Sequence, residues 1–335
     1  MDFLKDVIKE IGDDYATVAN KIDDTERTVD TGSYILNALV SGSVFGGVSG
    51  NKITAIAGET STGKTYFSLA IVKNFLDKHP DGGVMYFDTE SAITKGLLES
   101  RGIDLERVGI INVVTIEQFR NRALTVVDKY LGLEESDRKP MMFVLDSLGM
   151  LSTEKEIRDA LDDKQVRDMT KSHLVKGAFR MLTLKLGQAN VPLIVTNHTY
   201  DVIGAYVPTK EMGGGSGLKY AASTIIYLSK GKEKDGTEVI GNIIKAKTVK
   251  SRLSRENRQV SIRLYYDERG LDRYYGLLDL AEKHGVIKKV ANRYEIDGKK
   301  VYAKEIYKNP EKYFTPELMQ ALDEVSVKEF TYGGE

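Results

Sequence analysis

The stretch KITAIAGETSTGKTYFSLAIVKNFL, residues 52–76, decides how the chain reads. It opens with a nearly unbroken apolar run, as a strand covered on both faces requires. It closes with YFSLAIVKNFL, whose apolar side chains recur at helical spacing. Between them GETSTGKT, residues 58–65, matches the P-loop pattern through Gly58, Gly63, Lys64 and Thr65. The two glycines allow backbone angles at which successive N–H groups converge on phosphate oxygens. The start of the following helix adds partial positive charge. Gly58, Glu59, Thr60, Ser61, Thr62, Gly63, Lys64, Thr65 and Tyr66 are therefore the candidate nucleotide-binding set. Lys64 is placed to reach the β- and γ-phosphates, and the Thr65 hydroxyl to ligate Mg²⁺.

Working outward, four more strands are expected at 84–90, 108–114, 140–146 and 191–197, with helices at 63–79, 117–131 and 164–189. Strands alternating with helices argue for an α/β core with a mostly parallel, doubly wound sheet. After Ala222, STIIYLSK, EVIGNIIKAK and QVSIRLYYD follow closely and are expected to extend the sheet as antiparallel ribs. In such sheets ligands bind beyond the carboxyl ends of the strands. Asp146 ends PMMFVLD there, as a carboxylate that holds Mg²⁺ through water or caps the next helix. Glu90 ends VMYFDTE, where a carboxylate can deprotonate the water that attacks the γ-phosphate. Asp88, two residues earlier on the same strand face, is a possible Mg²⁺ support or a partner for Thr65.

The fifth strand leads into an unusually long loop, TNHTYDVIGAYVPTKEMGGGSGLKY, residues 196–220. Loops of that length are seldom kept without a use. At its start His198 can donate to a phosphate oxygen or serve as a core histidine bound to backbone.

GETSTGKT, MYFDTES, MMFVLDSLGML, LIVTNHT, MGGGSGLKYAAS and the later GLLDLAEKHGVI occur in this order, and together they resemble the RecA recombinase family. DSLGML, NHTYDVIG and MGGGSGLKYAAS look most like the UvsX-type recombinases of T4-like phages. The resemblance implies a RecA-like ATPase core over residues 36–269. It is preceded by an N-terminal helical polymerisation segment, 1–35, and followed by a small α+β C-terminal domain, 270–335. It implies a DNA-dependent ATPase that uses ATP and Mg²⁺, forms a helical filament on single-stranded DNA and pairs it with duplex DNA for strand exchange. Two DNA-binding loops are implied, at about 154–165 and 199–213. Arg158 and Arg167 are the candidate contacts near the first. Thr199, Lys210, Gly213, Gly214 and Gly215 are those in the second. His198 takes the γ-phosphate-sensing position. Lys250 and Arg252, with Lys247 in reserve, take the position of cations that reach a neighbouring protomer's ATP, which makes them catalytic in trans with Glu90 and Lys64. Thr94 to Leu97 is the candidate stretch for the adenine wall. A single-strand-binding protein and a loader are implied as partners.

Without the resemblance, Lys230 to Arg258 still shows a local bias, with nine Lys/Arg against four acids. The whole chain has a formal net charge of -1, so any nucleic-acid footprint must be local. No cysteine is present, which removes disulfides and thiolate zinc sites. No apolar run reaches membrane-spanning length, and a cytoplasmic protein is expected, within an infected host if phage-encoded. At the N-terminus Phe3, Leu4, Val7, Ile8 and Ile11 lie at helical spacing. That helix either packs on its own core or docks on a neighbouring subunit, with YATVANK, around Tyr15, Val18 and Ala19, as a further contact. A RecA-fold hexameric helicase would share the same site. A non-catalytic mediator would not need Glu90.

Overall fold

The protein is described as a computed structural model at residues 3–12, 16, 18, 28–163, 169–201, 210–296 and 298–334. The strands are β1 (Thr28–Val29), β2 (Val48–Ser49), β3 (Ile53–Gly58), β4 (Gly83–Asp88), β5 (Val108–Asn112), β6 (Met141–Asp146), β7 (Leu193–Asp201), β8 (Lys210–Met212), β9 (Thr224–Asp235), β10 (Glu238–Ser251), β11 (Gln259–Tyr265), β12 (Lys288–Val290), β13 (Arg293–Ile296) and β14 (Lys299–Tyr302). The helices are α1 (Phe3–Ile11), α2 (Tyr34–Ser41), α3 (Lys64–Lys78), α4 (Lys95–Ser100), α5 (Ile116–Leu131), α6 (Glu154–Leu161), α7 (Lys171–Ala189), α8 (Ser216–Ala221), α9 (Leu277–Lys283), α10 (Ala303–Lys308), α11 (Pro310–Tyr313) and α12 (Pro316–Phe330).

One sheet dominates, in the order β11-β10-β9-β3-β7-β6-β4-β5, with β8 paired to β7. Strands β9, β3, β7, β6, β4 and β5 run parallel. The run of apolar residues in β3, β4, β6 and β7 is explained by cover on both faces. Alternate residues face opposite ways. Ile56, Val144 and Ile194 join α2, α3 and the C-terminal helices in one apolar cluster. Ala55, Phe143, Leu145 and Val195 join α5 and α7 in the other. There Phe87 sits edge-on to Phe119 and Phe143, with ring centroids 5.1 and 5.6 Å apart. Burying each such ring stabilises by roughly 1.5–3 kcal/mol.

The doubly wound core agrees with the sequence, and four details differ. First, β4 ends at Asp88 rather than Glu90. The Asp88 carboxylate turns back to accept from the N–H groups of Glu90 (3.0 Å), Ala92 (3.4 Å) and Ile93 (3.1 Å), and Ser91 has positive φ, so the chain leaves the sheet there. Second, β5 stops at Asn112 and forms the edge of the sheet, where polar and apolar residues alike are largely uncovered. Third, only β10 and β11 are antiparallel ribs, because β9 runs parallel to β3. Fourth, the long stretch contains regular elements: β7 continues to Asp201 and pairs with β8, and α8 follows the glycines.

The expected helix over 164–189 is seen from Lys171, residues 164–168 lying outside the described set. The C-terminal hairpin is present as β13–β14, with β12 as a third strand. The C-terminal elements also share the α2–α3 cluster through Leu277, Leu322 and Phe330. Asp323 Oδ1 accepts from Ser43 Oγ at 2.6 Å and the Val44 N–H at 2.8 Å, which ties α12 to the turn after α2. By contrast α1 buries none of its residues, and Phe3 is 76% exposed. Packing of α1 on its own core is therefore not what holds it. Tyr15 and Ala19 lie outside the described residues.

Candidate active site

The parallel register brings the carboxyl ends of β3, β4, β6 and β7 to one rim. Gly58 faces His198 across β3–β7, and Asp88 faces Asp146 across β4–β6. A cavity of about 350 Å³ opens on this rim. Thr60, Ser61, Gly63, Lys64 and Thr65 of the P-loop line it together with Glu90, Asp146 and His198. Tyr66, Leu69, Leu97 and Arg101 complete the lining.

The P-loop turns sharply at Ser61 and Gly63, both with positive φ, and α3 begins directly at Lys64. The Lys64 side chain arches back over the loop, donating to the carbonyls of Gly58 (3.0 Å) and Glu59 (2.9 Å). Burial holds its ammonium below the usual lysine range, while the charges of Asp146 and Glu90 pull it up. A poorly solvated cation suits a polyanion, whereas the two carboxylates would repel one unless a divalent cation came with it.

Asp146 is 6% exposed and held on both oxygens. The Thr196 hydroxyl donates to Oδ1, and the Tyr86 hydroxyl donates to Oδ2 at 2.7 Å. Burial and the Asp146 charge both push the Tyr86 hydroxyl well above its ordinary pKa, which keeps it a donor. Tyr86 also meets Ser68 Oγ at 3.2 Å, and Ser68 donates to the Thr65 carbonyl at 2.8 Å. The carboxylate and the first turn of α3 are thus braced through one chain of hydroxyls. Each Asp146 oxygen keeps lone pairs beyond the one its donor uses. With the Thr65 hydroxyl they form an oxygen donor set suited to Mg²⁺, which takes few protein ligands and shares its shell with phosphate and water. Among the described residues no group of three or more His, Cys, Asp or Glu could hold a metal alone, so an all-protein metal cage is not what the site offers.

Glu90 lies beyond the strand, in the turn that Asp88 caps. Its side chain is 40% exposed, not buried as a strand-tip residue would be. Ser147 Oγ donates to Glu90 Oε1 at 3.0 Å, and His198 Nε2 stands 3.8 Å from the same oxygen. The expected bond from Asp88 to Thr65 is replaced by the three backbone N–H contacts, so Asp88 shapes the Glu90 turn. The Asp146–Ser147 peptide is cis. Thr89 bridges it, accepting from the Ser147 N–H at 2.7 Å and lying 3.0 Å from the Asp146 carbonyl.

The DNA-loop candidates separate on the structure. Arg158 is exposed on α6, a helix closed at its start by a Thr153–Glu156 capping box. Arg167 lies outside the described residues, as do 202–209 of the second loop. Thr199 sits inside β7 opposite Met212 and is 7% exposed, so the surface contact expected of it is not available there. Lys210 pairs with Glu59 of the P-loop. Gly213 and the Asn197–His198 corner are tied together, through His198 O at 3.0 Å and Asn197 Nδ2 at 2.8 Å. Gly214 and Gly215 have positive φ, and a Cβ on Gly215 would come within 2.5 Å of Ser172 Oγ. The Ser172 hydroxyl can rotate away, so it is the backbone at 215, φ 73 and ψ -166, that favours glycine. Lys250 donates to the carbonyls of Lys219 (2.7 Å) and Tyr220 (3.2 Å) at the end of α8. Burial and Arg252 lower its pKa, against the pull of Glu256. Arg252 and Lys247 are exposed.

Several site residues were not foreseen. Tyr86 was legible, since a tyrosine inside a buried apolar strand needs a partner for its hydroxyl. Ser147 and Thr196 each sit beside a residue already singled out. Arg101 carried no signal: its guanidinium lies 4.0 Å over the Tyr66 ring and donates to the Tyr66 hydroxyl at 2.6 Å.

This fold and rim define a P-loop nucleotide-binding protein with a RecA-like core. The family model for the RecA N-terminal domain matches residues 2–272. A recombination and repair protein of Enterobacteria phage T4 is 33% identical over 274 residues, covering 82% of this chain and 68% of that protein. The RecA protein of Paracoccus denitrificans is 30% identical over 302 residues, covering 89% and 78%. The chain belongs to the RecA family. The likeness to the T4 protein also bears out the resemblance to UvsX-type recombinases.

Proposed function

We infer that this RecA-family recombinase is a DNA-dependent ATPase that assembles on single-stranded DNA, pairs it with a homologous duplex and exchanges strands. One observation carries the reading. The groups that would meet a triphosphate, Lys64, Asp146, Glu90 and His198, share a rim with β7, and β7 runs on from His198 to pair with β8, the two strands flanking the segment read as the second DNA loop. In this reading nucleotide state and DNA state would meet on one strand.

In this reading the P-loop N–H groups and Lys64 hold the β- and γ-phosphates. Thr65 and Asp146 would hold Mg²⁺, which when bound offsets phosphate charge. Glu90 orients the attacking water and takes its proton. His198 contacts the γ-phosphate and passes its loss to β7. Tyr66, Leu97 and Arg101 offer a flat, partly apolar end for the base. Arg252, with Lys250 or Lys247, would arrive from a neighbouring protomer at the developing charge, so turnover needs a filament. The uncovered apolar face of α1, within the 1–35 segment, is a candidate contact between protomers. Arg158 and Lys210 are the candidate phosphate contacts on DNA. Single-strand-binding and loader proteins would act with the filament in the cytoplasm. Among the described residues no helix is long and apolar enough to cross a membrane. The helicase and mediator readings are not favoured, since the named relatives are recombination proteins.

The test is ATP hydrolysis with and without single-stranded DNA, across protein concentration. Strong stimulation that rises cooperatively with concentration is expected. Activity indifferent to DNA would break the link between His198 and the hairpin.

A further inference from the structure

Glu90 stands on a turn, half in solvent, yet a base must be held in place to act. Among the described residues, the hydrogen bond on its carboxylate comes from Ser147. Ser147 is 1% exposed and is itself fixed. Its N–H donates to Thr89 Oγ1 at 2.7 Å, and the Thr89 N–H donates to the Asp146 carbonyl at 2.9 Å. The hydroxyl therefore sits on a frame pinned to β4 and β6 together. From Ser147 the chain passes through a short 3₁₀ turn, Leu148–Met150, to Thr153, the N-cap of α6. Leu148 and Leu151 are 1% and 0% exposed and Thr153 is 0% exposed, so this link is anchored in the core. At its far end α6 buries none of its residues and presents Arg158. A buried link thus has a surface helix at one end and the Glu90 carboxylate at the other.

We propose that Ser147 is the positioning residue for Glu90. The inference rests on the reading of Glu90 as base. The hydroxyl fixes Oε1 and leaves Oε2 for the attacking water. His198 Nε2, 3.8 Å from the same Oε1, is the other group facing that oxygen.

The test is ATP hydrolysis, with and without oligothymidylate, by the full chain and by Ser147→Ala, Ser147→Thr, Glu90→Gln and the Glu90→Gln/Ser147→Ala double variant. A reacting group displaced by an ångström loses about a hundredfold in rate, so Ser147→Ala should lose about ten- to a hundredfold in DNA-stimulated kcat. Its KM for ATP should stay within about twofold, because the P-loop is untouched. Ser147→Thr keeps the hydroxyl and should keep the rate. The double variant should be no slower than Glu90→Gln alone, because Ser147 acts only through that carboxylate. Wild-type kcat in Ser147→Ala would overturn the proposal. So would a loss confined to KM or to the Mg²⁺ requirement, which would put the hydroxyl on substrate or metal, and so would a further loss in the double variant. Should Ser147→Ala not fold, Ser147→Cys, nearly isosteric and a weak donor, carries the same expectation. Normal turnover in Glu90→Gln would remove the base itself. Loss there with full turnover in Ser147→Ala would remove only the role of Ser147.

Discussion

Replacing Tyr86 with Phe takes one oxygen from beneath the site and keeps the ring that fills the core. Tyr86 is fully buried, while Asp146 lines the cavity, from which water can reach its carboxylate. The Tyr86 hydroxyl gives Asp146 Oδ2 a 2.7 Å bond, and among the described residues no other donor reaches that oxygen. Ser68, the second neighbour, keeps its bond to Thr65 and is not orphaned. A hydrogen bond to a charged group contributes about 1.5–3 kcal/mol, and that is the expected cost. That is below the 5–15 kcal/mol typical of whole proteins, so the variant should still fold. A urea titration should give a lower midpoint at an unchanged slope. Thr196→Val, which unpairs Oδ1, should resemble it, and the two should not add, because both act on one carboxylate. Both should also raise the Mg²⁺ concentration needed for ATP binding. A midpoint equivalent to less than about 0.5 kcal/mol of loss would refute the bracing of Asp146 by Tyr86, since surface-like substitutions lie in that range.

Glu90→Gln should keep ATP and DNA binding while turnover falls about 10²- to 10⁴-fold, the usual range for a general base, in a steady-state ATPase assay. His198→Ala should leave an ATPase whose rate no longer depends on DNA, and unchanged coupling would return His198 to a purely structural role. Arg252→Glu should impair hydrolysis by assembled filaments but not ATP binding by dilute protomers. Lys250→Glu is a less clean probe, because it also strips the α8 carbonyls of their donor. Lys210→Ala should weaken single-stranded DNA binding and lower the slope of log K against log salt by about one, as loss of one phosphate contact would. Its effect on stability should stay within about 1 kcal/mol, because Lys210 and Glu59 are both well exposed.

The parallel core was legible because burial on both faces writes long apolar runs. The site was legible where chemistry demands a residue type: the P-loop, and the acid at the end of β6. What was hidden depended on contacts across distant segments. Asp88 and Glu90 looked like neighbours on one strand face, until the Asp88 carboxylate, by taking three N–H groups, ended the strand. The loop after His198 looked structureless because the pairing of β7 with β8 involves only three residues a side. Thr199 was taken for a surface contact for the same reason. The parallel setting of β9 on β3 could not be read from spacing, which constrains a hairpin such as β9–β10 but not the direction of its entry into the sheet.

Strand β7 has one further consequence. From Leu193 to His198 it is clamped against β3, with β6 on its other side over the first three residues. From Thr199 to Asp201 its recorded partner is β8. It is a beam built into a wall, with a free end overhanging. Sliding the built-in part by one residue would send every side chain to the wrong face of the sheet. The overhang can only bend or twist about its root. The root is the His198–Thr199 junction, and the bond from the Gly213 N–H to the His198 carbonyl braces it like a strut. A change at the imidazole would therefore reach the β7–β8 pair as an angle, while the sheet behind it stays still.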